Sequence, residues 1–217
     1  MLGAMFFVPA AFALDVTHVR LAGSIDVAGK RLDGVATLET APREGPVRLD
    51  AEGLQITGVT VGGRRVPFNH RDGFLELDAP GVAPIVVTYT AGPSGGLRFE
   101  GEFASTQYAT WTWLPCPSDP SDRATFDVDL RVPDGSVLVA DGDGEAPAYT
   151  WGFAVGPYER HADGVSVVYT PRGVPVPEHA FRDTAAVLAK AAELTGVPYA
   201  NRHYVTVLTP YSSAQEV

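Results

Sequence analysis

The run from Thr106 to Pro133, TQYATWTWLPCPSDPSDRATFDVDLRVP, decides the fold. From Ala124 onward, Ala124, Phe126, Val128, Leu130 and Val132 alternate with Thr125, Asp127, Asp129 and Arg131. A period of two is the mark of a half-buried strand, and Pro133 ends it. Upstream, Pro115, Pro117 and Pro120 fix three φ angles within a few residues. Cys116 therefore lies in a stiff, non-helical bend on which other parts of the chain pack. The cysteine reads as a small buried hydrophobe rather than a nucleophile. Trp111 and Trp113 alternate on a segment read as extended, an aromatic pair that lines a groove or packs at a domain junction.

Toward the N-terminus, short apolar runs are parted by turn residues. Strands are expected at Val16–Leu21, Gly34–Leu38, Val47–Leu49, Leu54–Val61, Arg65–Phe68, Phe74–Leu77 and Ile85–Thr90. The last should present Ile85, Val87 and Tyr89 on one face. Gly62-Gly63 signals a tight hairpin, because paired glycines accept the positive φ values it needs. Beyond Pro133, further strands are expected at Val137–Val139, Tyr149–Val155 and Val165–Tyr169. Asp141, Asp143 and Glu145 alternate in the intervening ADGDGEA, but without the glycine placement and later glutamate of a calcium-binding helical hand. A solvated turn is the better reading, and no metal site is assigned.

The composition agrees with many turns and short strands. Among 217 residues there are 23 Gly and 18 Pro, with 45% hydrophobic and 19% charged residues. A net charge of −10 with only 16 Lys and Arg argues against nucleic acid as a partner, because phosphate binding draws its affinity from basic groups. One cysteine excludes an internal disulfide.

The first residues, MLGAMFFVPAAFALD, form an apolar run ending in Ala11-Phe12-Ala13, the small-residue pattern that signal peptidase cuts. Residues 1–13 are read as a signal peptide, which places the protein outside the cytoplasm, periplasmic or secreted; a buried first strand is the alternative. The run is too short to span a bilayer. At the other end, spaced prolines from Pro171 form a linker and give way to a helix. Pro177 and Glu178 suit its first turn, while Gly196 and Pro198 mark its stop. Phe181, Ala185, Leu188 and Ala192 form a stripe expected to be a core-packing face, with Val187 and Leu194 beside it. Tyr204–Leu208 is the final expected strand.

The order Thr106, Gln107, Pro115, Cys116, Pro120, Arg123, Ala124, Thr125, Phe126 and Pro133 resembles the N-terminal domain of the aminopeptidase N and leukotriene-hydrolase family of zinc metallopeptidases. The tail, with Gly196, Pro198 and Tyr199 before HYVTVLTP, is similar to the element that opens that family's catalytic domain. Three features depart from the pattern, the first being an interval from Gln107 to Cys116 shorter than in the best-known members. Ser118 stands where the family has Asp, and Ala109 where an acidic residue holds the substrate's amino group.

The resemblance implies a mainly β fold, an antiparallel sandwich or saddle over residues 14–170. Residues 171–217 would be the linker, first helix and first strand of an α/β zinc-peptidase domain. It implies a peptide substrate, a catalytic domain packed on the β domain, and zinc in the whole protein. Gln107 becomes the candidate substrate-binding residue; a Gln that satisfies backbone groups at the bend is the alternative. No catalytic residue or metal ligand is assigned here: none of His18, His70, His161, His179 or His203 is followed by Glu, so the H-E-x-x-H pair of zinc ligands is missing. A different class, a non-catalytic β-sandwich that binds protein or carbohydrate, is the rival reading.

Overall fold

The computed structural model describes residues 14–42, 44–140, 144–176, 181–199 and 203–210. The signal-peptide reading of residues 1–13 lies outside the described residues, as do Asp141, Asp143, Pro177, Glu178 and His179. In chain order the strands begin with β1 (Val16–Asp26), β2 (Arg31–Thr40), β3 (Pro46–Asp50), β4 (Gln55–Val61) and β5 (Arg64–Arg65). Next come β6 (Phe68–Arg71), β7 (Phe74–Asp78), β8 (Ile85–Ala91), β9 (Leu97–Glu100), β10 (Phe103–Thr106) and β11 (Arg123–Arg131). The remainder are β12 (Val137–Ala140), β13 (Ala146–Pro147), β14 (Phe153–Gly156), β15 (Tyr158–Asp163), β16 (Ser166–Pro171) and β17 (Tyr204–Val207). Helix α1 (Thr184–Thr195) precedes the last of these.

The alternating run of the bend stretch becomes β11, which docks on β1 in a seven-stranded sheet of order β13-β11-β1-β2-β8-β4-β5. Ala124, Phe126 and Leu130 are buried while Asp127, Asp129 and Arg131 are exposed, as the period requires. The fold is mainly β and largely antiparallel, with two parallel pairings, β1 with β11 and β16 with β17. In the first, Val19 lies opposite Phe126 and Leu21 opposite Val128. A four-stranded sheet (β12-β14-β10-β9) and two three-stranded sheets (β3-β7-β6 and β15-β16-β17) make up the rest of the β structure among the described residues.

The main core lies between these sheets. Leu21, Leu38, Ile85, Val87 and Tyr89 come from the large sheet, Leu49 and Leu75 from β3 and β7. Trp113, Leu114 and Cys116 enter from the bend. Trp113 is fully buried and meets Phe126 and Phe153 edge-on, at centroid distances of 6.1 and 5.4 Å. Phe126 in turn stacks on Trp151 at 5.0 Å. Burial of each such side chain stabilises by roughly 1.5–3 kcal/mol, so the bend is anchored by its aromatic residues rather than by its prolines alone.

Several expectations shift in detail. The strand expected at Arg65–Phe68 is divided: β5 pairs back onto β4, and β6 pairs with β7. Pro67, between them, has no N–H to give a ladder, so the chain leaves one sheet there and enters another. Gly62 and Gly63 take φ of 57° and 77° in the β4–β5 hairpin, as expected. Tyr149 belongs not to a strand but to a 3-10 turn, Ala148–Thr150, in which the Thr150 hydroxyl donates to the Pro147 carbonyl at 2.8 Å. Trp111 and Trp113 likewise lie on or just after a 3-10 turn, Thr110–Thr112, not on an extended segment.

The helix stops where expected, with Gly196 in the left-handed conformation at φ 71°. Its stripe is not a core-packing face within these residues. No helix residue is buried; Leu188 and Ala192 are only half-buried, and Val187 and Leu194 are 63% and 74% exposed. The last strand does join the β structure: Val205 and Val207 pack with Phe103, Val137 and Tyr169 against the small cluster of Val139, Ala154 and Tyr158.

Candidate functional site

Gln107 follows directly on β10, where the chain leaves the four-stranded sheet. The preceding Thr106 is buried, and its hydroxyl accepts from the Phe153 N–H at 2.8 Å and donates to the Phe153 carbonyl at 3.2 Å. The Gln107 N–H donates to the Gly96 carbonyl at 2.8 Å. Three residues on, the Thr110 hydroxyl donates to the Ala148 carbonyl at 2.7 Å, and the Thr110 carbonyl accepts from Trp113 and Leu114. Thr112 closes the loop by accepting from the Gly96 N–H at 3.1 Å and donating to the Ala109 carbonyl at 2.8 Å. Only glycine fits at position 96, because a Cβ there would come within 2.1 Å of the Ala109 carbonyl oxygen.

The backbone on either side of Gln107 is thus held by buried threonines. Its side chain is half-buried, next to Tyr108 at 51% exposure. Such a setting can present a fixed amide, both donor and acceptor, at the edge of the domain. Trp113 is committed to the core, whereas Trp111 is half-buried and its Nε1–H donates to Glu52 Oε2 at 3.3 Å.

At the bend, Cys116 exchanges backbone hydrogen bonds with Asp50 at 2.9 and 3.1 Å. It is fully buried; burial pushes its thiol well up, and the carboxylates of Asp50 and Asp122 push it further. A thiolate is disfavoured on both counts, which fits a packing role. Outside the bend runs an open groove of about 840 Å³, walled by Arg48, Asp50, Asp119, Asp122 and Arg123 and reached by Leu14 at its edge. Gln107 does not line it.

Within the groove Asp50 Oδ2 accepts from the Ser118 N–H at 3.2 Å. Asp119 is held below the usual carboxylate range by the N–H and hydroxyl of Ser121. Asp122 goes the other way: burial raises it to about 6, against a hydrogen bond from the Val16 N–H and with help from Asp15 and Asp119. Sequence reading did not reach this groove, because Asp50 and Asp122 lie far apart along the chain and only the β3–bend bridge brings them together.

Among the described residues no three His, Cys, Asp or Glu side chains come together to hold a metal. His18 Nδ1 bonds Thr125 Oγ1 at 2.7 Å, His70 Nε2 donates to the Ala51 carbonyl at 2.9 Å, and His161 Nε2 lies 3.1 Å from Thr170 Oγ1. These are contacts to neighbouring hydroxyl and carbonyl groups, and among the described residues none of these histidines belongs to a set that fits a zinc ion. No helix among the described residues is long and apolar enough to cross a membrane.

Comparison with known proteins bears on the whole domain. No family model matches the chain. Aminopeptidase N from Lactobacillus delbrueckii subsp. lactis is 27% identical over 132 residues, a match covering 52% of this chain and 16% of that protein. The M1 zinc metallopeptidase from Deinococcus radiodurans superposes with a TM-score of 0.79 at 24% identity, covering 93% of this chain and 57% of that one. Leukotriene A4 hydrolase from Saccharomyces cerevisiae gives 0.74 at 16% identity, covering 90% of this chain and 38% of that one. This chain therefore spans only part of the length of each protein it matches. In fold and in sequence together, the chain resembles the N-terminal domain of the aminopeptidase N and leukotriene-hydrolase family of zinc metallopeptidases.

Proposed function

We propose that this chain is the N-terminal, cleft-forming domain of an exported, zinc-dependent metallopeptidase that hydrolyses peptides from their amino end. The carrying observation is the superposition over 93% of this chain on little more than half of a zinc metallopeptidase. In this reading residues 14–170 form the β domain, residues 171–217 begin the catalytic domain, and the zinc is held by residues outside this chain. Helix α1 supports the division, since an apolar stripe with Leu194 at 74% exposure is available to a domain that follows. Gln107 would contact the amino end of the substrate through its amide, and Ala109 leaves no carboxylate beside it. Residues 1–13 would be removed on export between Ala13 and Leu14.

The coding sequence after the Val217 codon tests the reading. An H-E-x-x-H helix with a later glutamate is expected there; a stop codon, or a continuation without those ligands, would leave a non-catalytic binding module instead.

A further inference from the structure

We infer that export processing supplies a structural ion pair: the ammonium group created on Leu14 docks in the acidic groove and binds Asp122, fastening the first strand to the bend. The inference rests on cleavage between Ala13 and Leu14 as proposed above. In that step water adds across the peptide bond, the carboxylate leaves with Ala13, and Leu14 keeps the nitrogen as an ammonium group.

The geometry places donor and acceptor in one groove. Leu14, Asp15 and Asp122 all line it. Leu14 packs on the main core, and the Asp15 carbonyl accepts from the Ala41 N–H at 2.9 Å, so the entry to β1 is held in position. Two residues on, the Val16 N–H donates to Asp122 Oδ1 at 3.2 Å. An extended chain advances roughly 3.3 Å per residue, so the Leu14 nitrogen lies about 7 Å along the chain from that N–H, and residues 14 and 15 must fold back toward the bend to bring it onto Asp122.

The charges around Asp122 call for a cation. Asp15 lines the groove too, with an exposed side chain, and the other charged groups are engaged. Asp50 accepts from Ser118, Asp119 from Ser121, and Arg123 Nη2 donates to the Glu145 carbonyl at 2.8 Å. Arg48 stacks 3.5 Å over the Phe74 ring. Cys116, on the core side, is a neutral thiol. Asp122 Oδ2 is buried and has no hydrogen-bond partner. A carboxylate raised to about 6 by burial and by neighbouring acids is the group an ammonium would relieve most.

The test compares the full-length protein beginning at Leu14 with its amino group free or Nα-acetylated, each with and without Asp122→Asn. At pH 7 the free form should melt about 2–4 °C above the acetylated form. Asp122→Asn should lower the melting temperature of the free form and fail to lower that of the acetylated form. Above pH 9, where an α-amino group is neutral, the free form should lose its advantage. Equal melting of the free and acetylated proteins, which needs no variant to fold, would overturn the ion pair. N-terminal sequencing of the exported protein decides the cleavage separately: a start other than Leu14 would overturn the processing step and leave the melting comparison to judge the groove.

Discussion

At the scale of single residues, Thr106 and Gln107 divide the work of the bend between them. Thr106 supplies both hydrogen bonds to Phe153, so Thr106→Val keeps the shape and leaves a buried N–H without its acceptor. Urea denaturation should show a loss of about 1–3 kcal/mol. An unchanged midpoint would mean the hydroxyl is dispensable. If Gln107 has the proposed role, Gln107→Ala should instead leave stability nearly alone and lower kcat/KM of the full-length protein by roughly 10-fold, a loss of about 1.4 kcal/mol of transition-state binding. A variant with unchanged kcat/KM would reduce Gln107 to a structural residue.

Asp122 gives a dependence on pH that is legible in its surroundings. Its folded pKa of about 6 lies above the ordinary carboxylate value of 3.8, so the folded state holds the proton more tightly. Ionisation then opposes folding, absent below pH 4, growing between 4 and 6, and complete above. With the amino terminus acetylated, melting temperature should decline as pH rises through that window. Asp122→Asn should flatten the decline, and an equal slope in the variant would place its cause elsewhere.

Among the elements, α1 is the one whose packing within these residues is least complete. Leu194→Glu should change the stability of residues 14–217 by no more than about 0.5 kcal/mol, because Leu194 is 74% exposed there. In the full-length protein the same change should cost about 1–3 kcal/mol if a following domain covers the stripe. Equal, small effects in both would show that nothing packs on it.

Local chemistry made several elements readable in advance: alternation along β11, the paired glycines before β5, and Gly196 after α1. Pairing partners were not readable. A period of two says which face of β11 is buried, but not that the strand lies parallel to β1, more than a hundred residues earlier, where His18 meets Thr125. The split at Pro67 shows the same limit, since the proline marks a break in a ladder without saying which sheet takes the next strand. The groove at Asp122 depends on four separate segments meeting, which no local pattern encodes. Gln107 was singled out through its motif, and the threonines that hold its backbone became visible only with the fold.

For the molecule as a whole, the proposed role is to bring shape and the Gln107 amide to a reaction whose metal would be held by residues outside this chain. Its sheets close around a main, aromatic-anchored core and a smaller cluster, its bend leads on from Gln107 at the end of β10, and its helix offers an apolar stripe outward. In the proposed role this architecture serves zinc-dependent hydrolysis at the amino end of peptides. The most direct measurement is hydrolysis of an unblocked peptide by the full-length protein before and after chelation and zinc addition. Activity lost to the chelator and restored by zinc, with none from residues 14–217 alone, is the expected result. Hydrolysis that ignores the chelator, or none by the full-length protein with zinc present, would contradict it.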